Sequence, residues 1–259
     1  SSAVTDDEAR GLMTGVYPPI FHHLRHYGMY VLRFYKNFEW RYVIIDDKLP
    51  CTKDETSGVV ELLFASCTKR HEFWVSLMEK AYAKIHGAYQ SLISGDLSDA
   101  LTDFSGLVSD KLTLLNRGQF NKASLKDEES FWNRLSTTIK DGSLCGCSIV
   151  GTGIETAVIL DGEDTGLLAG HAYSIQGAYT IKDSQGASQR LVRIRNPWGF
   201  KNPKEWSGAW SDDSTELIQN IENINRAIKA SDGEEAELID PQFMKDGMFF
   251  MSYADFIRV

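Results

Sequence analysis

Apolar residues recur along this chain with two periods, and the switches between them lay out the elements. Trp74, Leu77, Met78, Ala81, Tyr82 and Ile85 fall at helical intervals, and Gly87 stops the run. That spacing predicts one clear helix whose apolar stripe belongs to a core. Residues 28–35 and 40–45 are rich in Tyr, Val, Ile and Phe, with Lys36-Asn37-Phe38-Glu39 between them. They predict a hairpin, closed by Pro50 and Cys51. Residues 97–104 predict a shorter helix, and Ser105-Gly106 a hinge after it.

The pattern then changes. Ser124-Leu125-Lys126-Asp127 can cap a helix carrying Phe131, Trp132, Leu135 and Ile139, ended by Asp141-Gly142. Residues 144–150 read as a strand with Cys145 and Cys147 on one face. Residues 151–166 are rich in Gly, Glu and Asp and predict a loop at the rim of a cleft. Residues 172–179 read as a strand. Asp183-Ser184-Gln185-Gly186 supplies a turn, and Val192 and Ile194 then alternate with Arg193 and Arg195 on the returning strand. Leu217, Ile218, Ile221, Ile224 and Ile228 predict one amphipathic helix. Residues 248–251 close the chain as an apolar run, followed by a turn at 253–256. Near the start, Thr5-Asp6-Asp7-Glu8 reads as a capping box opening a short helix. No internal repeat appears.

Composition narrows the class. The 259 residues are 42% hydrophobic and 11% aromatic, enough to bury the core of one large domain or two lobes. No run of about 18 apolar residues appears, so no membrane span is expected. A net charge of −9 argues against nucleic acid as a partner, which demands a basic footprint. Four cysteines in this length do not make a disulfide framework, and residues 1–7 carry no basic n-region, so a cytoplasmic setting is expected. Cys145 and Cys147 are too close in sequence for a C-x-x-C zinc or redox pattern. His22, His23 and His26 cluster without adjacent acids or thiols and suggest no metal site.

The chemistry concentrates in the hairpin. Folding at residues 183–186 returns Asn196 to the neighbourhood of His171. An asparagine amide oxygen can accept from one ring N–H, fix the tautomer and leave the other nitrogen for proton transfer. A histidine at a strand end and an asparagine before proline also occur as purely structural residues. Spacing alone leaves both readings open.

Longer words resolve the choice. Arg193-Ile194-Arg195-Asn196-Pro197-Trp198-Gly199 is followed by Glu205-Trp206-Ser207-Gly208-Ala209-Trp210-Ser211-Asp212. With Glu72-Phe73-Trp74, Gly170-His171-Ala172-Tyr173 and Asp246-Gly247-Met248-Phe249-Phe250-Met251-Ser252, these blocks resemble the calpain family of cysteine proteases. The resemblance implies an α+β, papain-like core of two lobes. The first, residues 1–106, would be mostly helical. The second, residues 107–259, would be an antiparallel β-sheet or barrel carrying the histidine and asparagine. It implies His171 as general base and acid, Asn196 as its orienting partner, and Trp198 as the ring that shields the pair. It also implies calcium as cofactor, held by Glu205, Asp212 and Asp246 in the second lobe and by Glu72 in the first. Where the family has a further acid, this chain has Met248.

The family's nucleophile lies in a Gly-x-Cys-Trp word upstream of the region that opens here with Ser1, and none of Cys51, Cys67, Cys145 and Cys147 has that context. The sequence is then either cut after the nucleophile or a core that begins here, and the abrupt start favours the first. The expected function is a calcium-dependent cysteine endopeptidase hydrolysing protein amide bonds through an acyl-thioester, inactive in this form alone. The rival is a calpain-like pseudoprotease serving as a binding or scaffold module on cytoskeletal proteins. A papain-fold transferase or amidase would share the Cys-His-Asn set but not the 205–210 block.

Overall fold

A computed structural model describes residues 15–67, 72–116, 118–152, 154–199, 205–240 and 246–259. The capping box expected at residues 5–8 lies outside them. The chain divides into two compact units, one ending at Asp110 and one beginning at Lys111. Among the described residues no helix is long and apolar enough to cross a membrane.

In the first unit the three histidines lie on a 3-10 helix, Pro19–Tyr27. His22 stacks on Tyr17, and its Nε2 lies 3.2 Å from the Tyr17 carbonyl oxygen. The expected hairpin follows as β1 (Met29–Lys36) and β2 (Glu39–Asp46). Asn37 and Phe38 take φ of 53° and 65°, the paired left-handed geometry of a two-residue turn matched to strand twist. A second hairpin, β3 (Cys51–Lys53) with β4 (Val60–Leu62), escapes the sequence pattern because nearly all its residues are exposed. Helix Trp74–Ile85 buries Met78 and Ala81 against Val16, Leu32, Phe34, Val43 and Ile45. Each such large side chain contributes about 1.5–3 kcal/mol by leaving water. Helix Leu97–Ser105 is capped by Asp96, which accepts the Ser98 N–H, and ends at Gly106 with φ 71°. The residues expected as a hinge are therefore a helix C-cap. The chain passes to the next unit a few residues later.

The second unit opens with the short ladder β5 (Leu115–Asn116) and β6 (Gln119–Phe120), then helices Lys122–Leu125 and Glu128–Lys140. Asp127 caps the longer helix through the Ser130 N–H at 2.7 Å. After it come β7 (Cys145–Ser148), β8 (Thr156–Leu160), β9 (Glu163–Ala169), β10 (Ala172–Lys182), β11 (Ser188–Arg195) and β12 (Met248–Ser252). Four of these form an antiparallel sheet in the order β12-β11-β10-β7. Among the described residues the sheet is open, with β12 and β7 at its edges, and the barrel alternative for this lobe is not the one seen. It stays open because both faces are covered. Tyr173, Ile175, Val192, Ile194, Phe249 and Met251 pack with Phe131, Trp132 and Leu135. On the other face Tyr179, Ile181, Leu191 and Phe250 meet Ile224 and Ile228 of helix Ile221–Asp232.

Three local expectations are corrected. The loop expected at residues 151–166 contains the β8–β9 hairpin, whose turn is Asp161-Gly162 with φ of 52° and 90°. The single helix expected over 217–228 is two, Thr215–Ile218 and Ile221–Asp232. Asn220 separates them because its side chain is engaged elsewhere, accepting the Ser184 N–H at 2.8 Å and donating to Glu216 O at 2.8 Å. The simple alternation of β11 gives way to a strand buried on both faces, with Arg193 only 7% exposed and donating to Glu237 O at 2.7 Å.

Candidate active site

His171 sits in the corner between β9 and β10, after Gly170 at φ 79°. Asn196 immediately follows β11. The pairing of Ser174 with Arg195 in the β10–β11 ladder brings the two strand ends side by side. His171 is 5% exposed and Asn196 is fully buried. His171 Nε2 lies 3.0 Å from Asn196 Oδ1. The same Oδ1 accepts the Trp198 backbone N–H at 3.0 Å. That amide can only donate, so the atom facing it is oxygen, and Nε2 must therefore carry a proton. The remaining nitrogen, Nδ1, is the one available for proton transfer. The Trp198 ring lies 4.5 Å from the imidazole, centroid to centroid, and Tyr173 meets it edge-on at 4.9 Å. Tyr173 is itself fixed, its hydroxyl accepting the Leu168 N–H at 2.9 Å.

Nδ1 has a partner that the sequence did not reveal. Glu155 Oε1 lies 2.7 Å from it. The imidazole thus has a polar partner at each ring nitrogen. Glu155 sits immediately before β8, in the stretch expected to be loop. Nothing in its spacing marks it, since the contact depends on how β8 and β9 fold back beside Gly170.

The second-unit acids expected to bind calcium adjoin the pair through Gly247. Glu205 is 9% exposed and Asp212 8%. Burial of Glu205 pushes its carboxyl up to about 7, helped by the nearby charges of Asp212 and Asp246 and opposed by a bond from the Gly247 N–H. That N–H donates to Glu205 Oε1 at 2.7 Å, while Gly247 O accepts the Asn196 N–H at 2.7 Å. One residue thus joins the acids to the asparagine. The position requires glycine: φ is 94°, and a Cβ would lie 2.7 Å from Gly199 Cα and 2.8 Å from Asn196 O. Trp206 and Trp210 anchor the 205–212 segment in the two cores, with Trp206 Nε1 donating to Ala209 O at 2.8 Å. Oxygen donors and mutual repulsion suit a hard cation. Among the described residues, however, no three His, Cys, Asp or Glu side chains are gathered to hold a metal ion. Glu72 is in the first unit, exposed ahead of helix Trp74–Ile85.

Burial, with the neighbouring Cys145, pushes Cys147 up to about 12, and burial also raises Cys145 and Cys67. Cys51 is exposed in the first unit, its thiol directed at Leu49 O. A thiolate is the reactive form, and the three raised thiols disfavour it.

The family profile described as "Calpain family cysteine protease" matches residues 4–259. Calpain-9 of Mus musculus is 34% identical over 232 residues, covering 88% of this chain and 28% of that protein. Calpain clp-4 of Caenorhabditis elegans is 36% identical over 230 residues, 88% of this chain and 28% of the relative. The calpain-2 catalytic subunit of Homo sapiens is 36% identical over 231 residues, with 89% and 28% covered. The chain thus spans less than a third of the length of these relatives.

Proposed function

The chain belongs to the calpain family of cysteine proteases, and from that premise we propose that its second unit supplies the acid–base half of a thiol-dependent protein hydrolase. The observation that supports this most directly is the buried 3.0 Å bond between His171 Nε2 and Asn196 Oδ1. Asn196 keeps the Nε2 proton in place, so Nδ1 is the atom that takes the proton of an attacking thiol. The resulting thiolate adds to the scissile carbonyl carbon. His171 Nδ1 then returns that proton to the leaving amine as the C–N bond breaks and an acyl-thioester remains. Water, deprotonated by the same nitrogen, attacks the thioester and releases the acid and the thiol. Trp198 covers one side of the ring and limits water there, which strengthens the polar contacts beneath it.

The thiol is, in this reading, supplied from outside these 259 residues, since none of the four cysteines fits the role. The chain alone is expected to show no peptide cleavage. A longer form carrying the Gly-x-Cys-Trp word is expected to hydrolyse unstructured protein substrates. Cleavage by the chain as it stands, abolished by alkylating Cys67 or Cys147, would overturn the assignment.

Calcium is the proposed regulator. Glu205, Asp212 and Asp246 would hold it in the second unit after a local rearrangement that draws them together, with Glu72 contributing in the first. The ion would offset the repulsion among the acids. The four free thiols support a reducing, cytoplasmic setting.

A further inference from the structure

We propose that Glu155 is an autoinhibitory counter-ion of this site, occupying the place on His171 Nδ1 that an attacking thiol must take. The inference rests on the assignment of His171 as general base. Two observations carry it. Nε2 is committed to Asn196, whose Oδ1 is fixed as an acceptor by the Trp198 amide. Nδ1 is committed to Glu155 Oε1 at 2.7 Å. An imidazole has one N–H at Nδ1 and directs it along one line, so a thiolate and the Glu155 carboxylate compete for it. The carboxylate resembles the thiolate in the property that matters, a negative acceptor beside a protonated ring. It can stabilise the same imidazolium, but it has no sulfur to attack with. The bond is formed by unequal partners. The His171 side chain is 6% exposed, whereas that of Glu155 is 36% exposed. The histidine is held by its surroundings, and the glutamate can rotate into solvent without disturbing a core. That asymmetry suits a contact that is released rather than one that builds the fold.

The test uses the chain with its histidines labelled with nitrogen-15. The native chain is expected to show a His171 Nδ1–H proton protected from exchange, and Glu155→Ala to lose it while the Nε2–H proton remains. An Nδ1–H signal unchanged by Glu155→Ala overturns the proposal. Asn196→Ala, which removes the Nε2 acceptor, reports separately on the assignment of His171 and Asn196. In the longer, nucleophile-bearing protein, Glu155→Ala is expected to raise the rate of thiol alkylation by iodoacetamide about tenfold, the scale of one charge-assisted hydrogen bond to a partly exposed group. Glu155→Gln, which keeps an acceptor but not the charge, is expected to fall between. An unchanged or slower rate in Glu155→Ala overturns the inhibitory role, since Glu155 would then be neutral or a working member of the site.

Discussion

Two polar clusters share the second unit and are connected through the backbone of Gly247, yet they are electrostatic opposites. At His171 the polar atoms meet their complements: Nε2 an amide oxygen, Nδ1 a carboxyl oxygen, and Asn196 Oδ1 two N–H groups. At Glu205 the nearest charges have the same sign as its own, and one backbone N–H is the offsetting contact. The first cluster is at rest without help. The second carries an unbalanced charge, and binding a proton relieves it. The difference teaches that family membership and burial do not distinguish a balanced polar cluster from an unbalanced one. The balance of donors and acceptors does.

The largest expected effect comes from unbalancing the first cluster. Asn196→Ala leaves the Trp198 N–H and the Nε2 proton without their acceptor. In the nucleophile-bearing protein kcat/KM is expected to fall about 10²-fold, because the ring is no longer held in one tautomer. Buried donors left unpaired are expected to cost about 2 kcal/mol in urea unfolding of the present chain. Activity close to that of the native protein would mean that Asn196 is a structural turn residue only.

The second prediction relieves the other cluster. The Glu205 carboxyl is raised from its ordinary 4.5 to about 7 in the folded chain. The folded state therefore holds this proton more tightly than the unfolded one. Its contribution to stability is fully present below about pH 4.5 and is lost as pH rises through 7. Glu205→Gln is expected to remove this decline, on the order of 2 kcal/mol. Urea unfolding at pH 5 and pH 8 checks it. Equal pH dependence in both proteins would show the acids to be less coupled than their placement implies.

The smallest effect comes from aggravating the same cluster. Met248→Glu adds a carboxylate where the family has one, beside Asp246, whose Oδ1 already accepts the Met248 N–H at 2.8 Å. Calcium affinity of the chain, read by calorimetry, is expected to rise about tenfold with the added ligand charge. If affinity does not change, position 248 lies outside the ligand shell. If neither form binds at millimolar calcium, the acids serve another purpose.

Much of this is legible in the sequence, and what is not has particular physical causes. Helix Trp74–Ile85 and the β1–β2 hairpin follow from local period because each presents one face to one core. The β8–β9 hairpin was missed although Asp161-Gly162 is a turn signature, since a surplus of Gly and acidic residues suggested loop. In β10, a bulge between Ile175 and Gly177 moves the odd-numbered residues from one face to the other. Tyr173 and Ile175 therefore belong to one core, Tyr179 and Ile181 to the other. No period-two rule can register such a change.

The sequence by itself determined the main helix and hairpins, the family, and the meeting of His171 with Asn196, because two strands joined by a short turn have little freedom over which ends meet. Tertiary structure alone decided that Glu155 takes Nδ1 and that Glu205 is buried among like charges. Both depend on segments from different turns of the chain converging out of water. Burial and Coulomb energy belong to that convergence, and no residue carries them before the chain has folded.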